Sequence, residues 1–292
     1  MIIRYDSTCA EYAAPGHAEA PFRVLRTAEH LSGKHPDWFP TDARSTDPVT
    51  DKILRLAHSA AHLARLRNTT EGMFDADTAA LPDMDAHARR GVEEALVVTE
   101  LALEGEKAFS LMRPPGHHAT ANDIMGFCYL NSVAIAALHA RSEHELERVA
   151  VWDFDAHHGN GTEAILARKK GILYVSVHQF PGYPNTGEKS VGNVKNYPVA
   201  PGTPAEEHMH LLENSWTDVL DFEPDLVLVS AGFDAYKDDP LTQLSLRLED
   251  YATLGKWLND TPCPVGAILE GGYSQDLPQL IGAFLESWEG GS

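Results

Sequence analysis

The sequence predicts an α/β domain of the doubly wound type, in which a mostly parallel central sheet is flanked by helices on both faces. One observation behind this prediction is that short, almost continuous apolar runs, typical of buried parallel strands, alternate with longer stretches of helical periodicity. A second is that His, Asp and Glu residues follow these apolar runs directly. Ligands of such sheets bind at the carboxyl ends of the strands, so this fold would gather those residues at one edge.

The individual elements follow from the same pattern. The apolar runs predicted as central strands are Lys107–Met112, Val149–Phe154, Ile172–Val177, Leu226–Ala231 and Val265–Leu269. The segments predicted as helices, several of which begin with Ser, Thr, Asn or Pro, are Ala86–Glu104, Asn131–Arg141, Thr162–Lys169, Ala205–Leu220 and Leu248–Leu258. No internal repeat and no Pro/Gly/Ser-rich linker divides the chain, so we expect residues 1–292 to form a single domain.

Composition limits the function classes. The chain has 292 residues, 43% of them hydrophobic, which is enough to fill a substantial core. The formal charge of -20 repels phosphate backbones and anionic headgroups, and it favours neutral or cationic ligands. We therefore expect no direct nucleic-acid partner and no membrane partner, although a need for solubility alone would also explain such a charge.

Cysteine usage and the first residues indicate the compartment. The cysteines are Cys9, Cys128 and Cys263, an odd number without C-x-x-C spacing, which argues against a disulfide framework and against a thiolate zinc site. Charged residues appear at Arg4 and Asp6, before any apolar run long enough for a signal peptide, and no stretch approaches the ~18 apolar residues of a membrane span. We expect an unprocessed protein of the reducing cytoplasm.

Candidate functional residues follow all five predicted strands. In chain order they are His117 and His118, then Asp155 and His157, then His178, then Asp234, and last the segment Glu270–Tyr273. A lone histidine is more often a satisfied core residue than a ligand. Five loops that converge on one sheet edge are difficult to attribute to chance, so the joint pattern predicts a functional site.

Three of these residues form a candidate metal site. Asp155 and His157 are two positions apart, so in extended backbone both side chains point to the same side, and Asp234 would complete an Asp/His/Asp set with an open position. A binuclear manganese site of the arginase kind needs further acids where this chain has Gly159 and Tyr236, which favours one metal. Zinc is the usual choice for such a catalytic site, whereas iron(II) or cobalt(II) also suits these ligands.

Four segments give the chain its family resemblance: Arg113–Ala119 (RPPGHHA), Gly126–Asn131 (GFCYLN), Asp153–Thr162 (DFDAHHGNGT) and Glu270–Tyr273 (EGGY). Through them the sequence resembles the histone deacetylase, acetylpolyamine deacetylase and acetoin-utilisation family. The similarity runs from about residue 15 to the C-terminal region. It implies the arginase/deacetylase fold and a zinc-dependent hydrolysis of N-acyl amines, with one zinc ion on the three ligands derived above.

The resemblance also implies catalytic roles. His118 is similar to the general base that takes a proton from the attacking water and later protonates the leaving amine, and His117 to its companion, oriented by Asp153. Asn160 occupies the place where some members carry Asp, a departure that is common in the class II branch. A neutral amide stabilises imidazolium less than a carboxylate does, so His118 should be less basic here. Tyr273 corresponds to the phenol that hydrogen-bonds the substrate carbonyl and the oxyanion.

Two further residue sets come from the resemblance alone. The substrate tunnel would be lined by Gly126, Phe127, Tyr183 and Leu241. A structural potassium ion would be held by Asp153, Asp155, Ser176 and the carbonyls of His157 and Val177.

The substrate is the open question at this stage. Polyamine-specific relatives carry Glu after an Asp-Pro pair, whereas here Leu241 follows Asp239 and Pro240, which favours acyl-lysine. Acetylpolyamine or another small acylamine remains an alternative, because a short chain has little room for tunnel-confining insertions and because the acids Asp75, Asp77 and Asp83 could attract a cation. A secondary-metabolite amide or ester is a further alternative. A catalytically inactive module that binds acyl chains or a protein is disfavoured by the complete set of site residues, and the oligomeric state stays open.

Overall fold

The computed structural model describes residues 1–40 and 48–290 and contains one seven-stranded sheet. Its strands are β1 (Ile2–Arg4), β2 (Ala108–Ser110), β3 (Val149–Asp153), β4 (Ile172–Gln179), β5 (Val194–Val199), β6 (Leu226–Ala231) and β7 (Val265–Leu269). The order across the sheet is β1-β2-β7-β6-β3-β4-β5, and every pairing is parallel. The central strand β3 pairs with both β4 and β6, with Trp152 opposite Val175 and Val229.

Helices cover both faces of this sheet. They are α1 (Phe22–Lys34), α2 (Asp51–Leu54), α3 (Ala60–Asn68), α4 (Met84–Leu103), α5 (Ser132–Glu143), α6 (Asn160–Leu166), α7 (Ala205–Asp221), α8 (Leu248–Asp260) and α9 (Leu277–Glu289). Residues of α1, α7, α8 and α9 share one hydrophobic core with the sheet, and residues of α3 to α6 share the other. Among the described residues, no helix is both long and apolar enough to cross a membrane.

The predicted fold class is confirmed, with a fully parallel sheet and helices on both faces. The five predicted strands are present, but three differ in length, and the second of them ends one residue early, at Asp153. The first is shortened to Ala108–Ser110, and the third extends to Gln179, so His178 lies inside β4 and not after it. The edge strands β1 and β5 were not predicted. Pro198 lies in β5, where the loss of a backbone donor is tolerated because the strand has a neighbour on one side only.

The topology determines where a site can form. From β3 the chain winds through α6 to β4 on one side, whereas β6 and β7 follow each other on the opposite side of β3. In parallel α/β sheets, a reversal of this kind opens a crevice at the carboxyl ends of the two strands that flank it. Here those strands are β3 and β6, whose adjacent ends Asp153 and Ser230 are paired. The loops that follow them are therefore placed side by side.

Candidate metal and catalytic site

The three predicted metal ligands come together in the crevice beyond β3 and β6. His157 Nδ1 lies 3.2 Å from Oδ1 of Asp155 and 2.9 Å from Oδ2 of Asp234. One ligand atom from each residue lies within 4.8 Å of the other two, and both carboxylates are fully buried. This arrangement is a compact set of one nitrogen and two oxygens.

Backbone groups hold the two carboxylates in this orientation. Oδ2 of Asp155 accepts a hydrogen bond from the N–H of Gly271 at 2.7 Å, and Oδ1 of Asp234 accepts one from Ala156 at 2.8 Å. The other oxygen of each carboxylate faces His157. Burial, together with the charge of Asp155, raises the pKa of Asp234. A divalent cation between the two acids would relieve their repulsion, and the N/O/O donor set fits zinc.

The paired histidines lie next to these ligands, with ring centroids 4.1 Å apart. Nδ1 of His117 is 3.1 Å from Oδ2 of Asp153, and Nδ1 of His118 is 2.8 Å from Oδ1 of Asn160. Both partner oxygens accept, so each Nδ1 donates. The two rings therefore differ in the charge of their partner and not in the geometry of the hydrogen bond.

The surroundings of the two rings shift their pKa values in opposite directions. Burial alone would lower the pKa of His117, but the nearby carboxylates of Asp155 and Asp153 outweigh it and raise that pKa to about 10. For His118, burial and the neighbouring His117 and His157 lower the pKa well below its usual value. The two adjacent rings thus differ in basicity, with His117 the more basic and His118 the less basic of the pair.

Glu270 anchors the loop that carries the histidines. Its fully buried carboxylate accepts hydrogen bonds from the N–H groups of Gly116 at 2.7 Å and His117 at 3.1 Å, and from the hydroxyl of Ser230 at 3.1 Å. Burial raises the pKa of Glu270 to about 7. The loop after β2 is thereby fixed to the ends of β6 and β7.

A second group of ligand-type atoms lies on the same loops and consists of His117, Cys128 and Glu270. Burial raises the pKa of the Cys128 thiol well above its usual value, which disfavours the thiolate that a metal would need. Cys9, Cys128 and Cys263 are all free thiols. The Asp155, His157 and Asp234 set is the better metal site.

Tyr273 follows a glycine pair after β7 and is buried. The guanidinium of Arg23 lies over its ring, 4.8 Å from the centroid, and donates hydrogen bonds to the carbonyls of Glu270 and of Gly272, the latter at 2.7 Å. Burial raises the pKa of Tyr273 well above its usual value, so the side chain remains a phenol that can donate a hydrogen bond. Arg23 is fully buried, and the sequence did not reveal its contacts.

A cavity of about 190 Å³ lies between His157, the paired histidines and Tyr273. It is lined by Asp77, Pro115, His117, His118, Gly126, Phe127, His157, Tyr183, Leu241 and Tyr273, which include all four residues predicted to bind substrate. The rings of Phe127 and Tyr273 are 5.9 Å apart, and Tyr183 packs edge-on against His118 at 5.1 Å. The narrow aromatic walls suit an extended chain better than a bulky group.

Of the three acids expected at the rim, only Asp77 lines this cavity. The carboxylate of Asp75 accepts hydrogen bonds from the N–H groups of Thr78 at 2.7 Å and Gly126 at 3.1 Å, so it holds the loop together. Asp83 is exposed at the position before α4. Burial and the neighbouring Asp75 raise the pKa of Asp77.

His178 has a structural role and does not line the cavity. Its Nε2 donates to the carbonyl of Gly187 at 3.1 Å, and its Nδ1 therefore accepts from the hydroxyl of Ser176 at 2.9 Å. His158 contacts Thr186 of the same loop at 2.7 Å. The two histidines thus hold the β4–β5 loop, which carries Tyr183. The sequence pattern grouped His178 with the candidate functional residues and did not indicate this structural role.

Known proteins are similar to this chain in sequence and in fold. The family described as "Histone deacetylase domain" matches residues 17–287. A probable deacetylase of Methanothermobacter thermautotrophicus is 38% identical over 99% of this chain and 91% of its own length. The crystal structure of the HDA15 HD domain has a TM-score of 0.91 at 28% identity, covering 99% of this chain and 91% of that one. An acetylpolyamine aminohydrolase from Burkholderia pseudomallei has a TM-score of 0.89 at 25% identity, with coverage of 100% and 99%.

The fold has the arginase/deacetylase architecture. The chain belongs to the histone deacetylase family, which confirms the resemblance drawn from its four segments.

Proposed function

We propose that this protein is a zinc-dependent deacylase that hydrolyses N-acyl amines, with acyl-lysine as the first candidate substrate. The observation that carries the proposal is the convergence of Asp155, His157 and Asp234 beside a cavity that is lined by His157 and by the His117 and His118 pair. When bound to those three residues, zinc supplies a Lewis acid that polarises the acyl carbonyl and acidifies water.

One metal fits this site better than two. The positions that would carry the extra acids of a binuclear site are Gly159, which has no side chain, and Tyr236, whose hydroxyl donates to Asp276 at 3.0 Å. Neither residue offers a carboxylate to a second ion. We expect one equivalent of divalent metal per chain in the active protein, and a measured content of two divalent ions would favour the arginase-like alternative.

His118 is suited to move the proton. Its Nδ1–H is committed to Asn160, which leaves Nε2 as the free base, and its low pKa keeps that nitrogen unprotonated. In the proposed reaction Nε2 takes a proton from the water that attacks the acyl carbon. The resulting imidazolium then gives the proton to the amine nitrogen as the C–N bond breaks, which leaves a carboxylic acid and a free amine.

Two other groups stabilise the negative charge that develops during attack. The phenol of Tyr273 donates a hydrogen bond to the tetrahedral oxyanion, and removal of one such donor typically costs about 10²–10³ in rate. His117, whose pKa is raised by the carboxylates of Asp155 and Asp153, is suited to support this charge electrostatically and is not assigned the proton transfer.

A structural potassium ion would bind next to the zinc site. The proposed ligands are the carboxylates of Asp153 and Asp155, the hydroxyl of Ser176 and the carbonyls of His157 and Val177. The hydroxyl of Ser176 donates its proton to His178, so its lone pairs stay available to a cation. Omission of potassium from zinc-loaded protein should lower activity, and sodium should replace it poorly.

The cavity supports an acylated primary amine on a flexible chain. Its volume admits an acylaminoalkyl group but keeps a peptide backbone outside, as acyl-lysine requires. Asp77 supports the acetylpolyamine alternative, because the lining contains no lysine or arginine among the described residues and a second substrate amine would meet this carboxylate.

The test is a substrate panel with zinc-loaded protein. We would measure kcat/KM on acetyl-lysine peptides, longer acyl-lysines, acetylputrescine and acetylspermidine, with Asp155→Ala as the inactive control. Asp77→Asn should impair the polyamines selectively, and Asp83→Asn at an exposed position serves as its matched control. Absence of hydrolysis across the panel, combined with full biological function of Asp155→Ala, would favour the binding-module alternative.

A further inference from the structure

Asp239 contacts both sides of the cavity through backbone groups. Its side chain is nearly buried, with 7% of the residue exposed. Oδ2 accepts a hydrogen bond from the N–H of Tyr273 at 2.7 Å, and Oδ1 accepts one from the N–H of Leu241 at 2.9 Å. One carboxylate therefore joins the backbone of the proposed oxyanion donor to the backbone of a cavity-lining residue on another loop.

The peptide unit between Gly272 and Tyr273 is held at both ends. Its carbonyl accepts from Arg23 at 2.7 Å, and its N–H donates to Asp239 at 2.7 Å. Gly272 has a φ of +118°, a conformation that residues with a Cβ rarely adopt, and it has no side chain of its own to fix the backbone. The orientation of this peptide thus depends on a buried cation on one side and a buried carboxylate on the other.

The loop that carries Asp239 is itself well anchored. The N–H of Asp239 donates to the carbonyl of Tyr236 at 2.9 Å, and the N–H of Leu246 donates to the carbonyl of Ala235 at 3.0 Å. Lys237 and Leu246 are joined by a further backbone hydrogen bond at 2.9 Å. Asp239 therefore projects from a stable base.

We propose that Asp239 is a positioning residue that fixes the Tyr273 peptide, and through it the phenol, relative to the substrate carbonyl. This role rests on the proposed function. An oxyanion donor is effective only within about 2.7–3.1 Å of the developing charge, and a displacement of about 1 Å can reduce the rate on the order of 10²-fold. The second hydrogen bond, to Leu241, keeps the cavity wall in register with the donor.

The direct test replaces Asp239 by Asn. The Asn side chain has only one accepting oxygen. Its NH₂ group must therefore face one of the two backbone N–H groups that donate to the carboxylate in the wild type, and that hydrogen bond is lost. We expect kcat to fall by about 10–10²-fold with the zinc content unchanged. Asp276→Asn is the matched control, because that carboxylate accepts from Tyr236 but makes no bond to the Tyr273 peptide, and its kcat should change less than about two-fold.

A double-mutant cycle distinguishes positioning from general destabilisation. In a Tyr273→Phe background the donor is already absent, so Asp239→Asn should reduce kcat much less than it does in the wild type. Equal losses in both backgrounds would overturn the proposal, because they would show that Asp239 does not act through the phenol. The affinity for a trifluoromethyl ketone, whose hydrate mimics the tetrahedral oxyanion, should fall in parallel with kcat/KM.

A second variant covers the case in which Asp239→Asn does not fold. Asp239→Glu retains the charge and both oxygens but displaces them by one methylene group, and it should show the same dependence on Tyr273 at a smaller magnitude. If the wild type is active and Asp239→Asn has an unchanged kcat, only the positioning role is overturned. A wild type that is inactive on the whole substrate panel would instead overturn the proposed function.

Discussion

Two adjacent residues, His117 and His118, carry the same side chain in different surroundings. The carboxylates of Asp155 and Asp153 raise the pKa of the first ring, whereas burial and two neighbouring imidazoles lower the pKa of the second. A general base must be unprotonated at the working pH, so the electrostatics favour His118 for that role.

The first prediction separates the two histidines by mutation. His118→Ala should lower kcat/KM on the order of 10²–10⁴-fold, because it removes the proton acceptor. His117→Ala should lower it less, because it removes a charge that acts on its neighbour. Steady-state kinetics on zinc-loaded variants with matched metal content would measure both values. Equal losses would mean that the base is wrongly assigned.

The second prediction concerns Asn160, the partner of His118. Asn160→Asp places a carboxylate 2.8 Å from Nδ1 and stabilises the imidazolium, so the pKa of His118 should rise. The reaction needs unprotonated His118, and the acidic limb of the pH–kcat/KM profile should therefore move to higher pH. Asn185→Asp adds the same charge at an exposed loop position and should leave the limb in place. A limb that does not respond to Asn160→Asp would contradict the proposal.

Among the secondary-structure elements, strands were predictable in proportion to their burial. Every residue of β3, β6 and β7 is buried, which produces the continuous apolar runs from which they were predicted. β1 has only three residues, and β5 alternates buried with exposed positions and contains Pro198, so neither strand has that signature. These edge strands form because a neighbouring strand offers hydrogen bonds, which local sequence does not encode.

The metal-ligand residues could be predicted from the sequence, whereas the residues that hold the site loops in place could not. Parallel strands bring their carboxyl ends together, so Asp155 and Asp234 could be assigned to one site from their positions after two strands. The contacts of Arg23 and Asp239 are made to backbone carbonyl and N–H groups. Such contacts leave no residue pattern at the other end, and only the folded chain reveals them.

The third prediction tests how closely the loop after β7 approaches the metal ligands. A Cβ on Gly271 would overlap Oδ2 of both Asp234 and Asp155. Gly271→Ala should therefore displace both carboxylates and lower the zinc affinity and activity by at least about 10-fold, with the helical circular dichroism retained. Gly33→Ala is the control, because a Cβ there meets no atom within 4 Å and lies in α1, where Ala should stabilise the helix by about 0.5–1 kcal/mol. Zinc binding that withstands Gly271→Ala would contradict this account.

For the molecule as a whole, buried neutral histidines couple stability to pH. Burial lowers the pKa of His58 and of His178 to about 3, and that of His208 to about 4. In the unfolded chain these groups titrate near their usual value of about 6.5. At pH values between the folded-state pKa and about 6.5, the unfolded state therefore binds more protons than the folded state. The contribution of each group to stability is fully present above about pH 6.5 and is lost as the pH falls toward the folded-state pKa.

His208 differs from the other two because neither of its ring nitrogens has a hydrogen-bond partner among the described residues. His58 contacts the carbonyl of Thr120, and His178 contacts that of Gly187. A buried polar group without a partner typically costs about 1–3 kcal/mol of stability, and an apolar side chain of similar volume avoids that penalty. His208 lies on the inner side of α7 and touches no part of the proposed site.

The fourth prediction follows from these two properties. His208→Leu should raise the free energy of unfolding at pH 7 by about 1–3 kcal/mol, as measured by urea denaturation. Between about pH 6.5 and 4 the wild type should lose roughly a further 3 kcal/mol relative to the variant, because only the wild type must keep the imidazole of residue 208 neutral in its core. His210→Leu, on the exposed face of the same helix, should produce neither change. A stability difference between His208→Leu and wild type that stays constant over this pH range would show that His208 does not titrate as its burial requires.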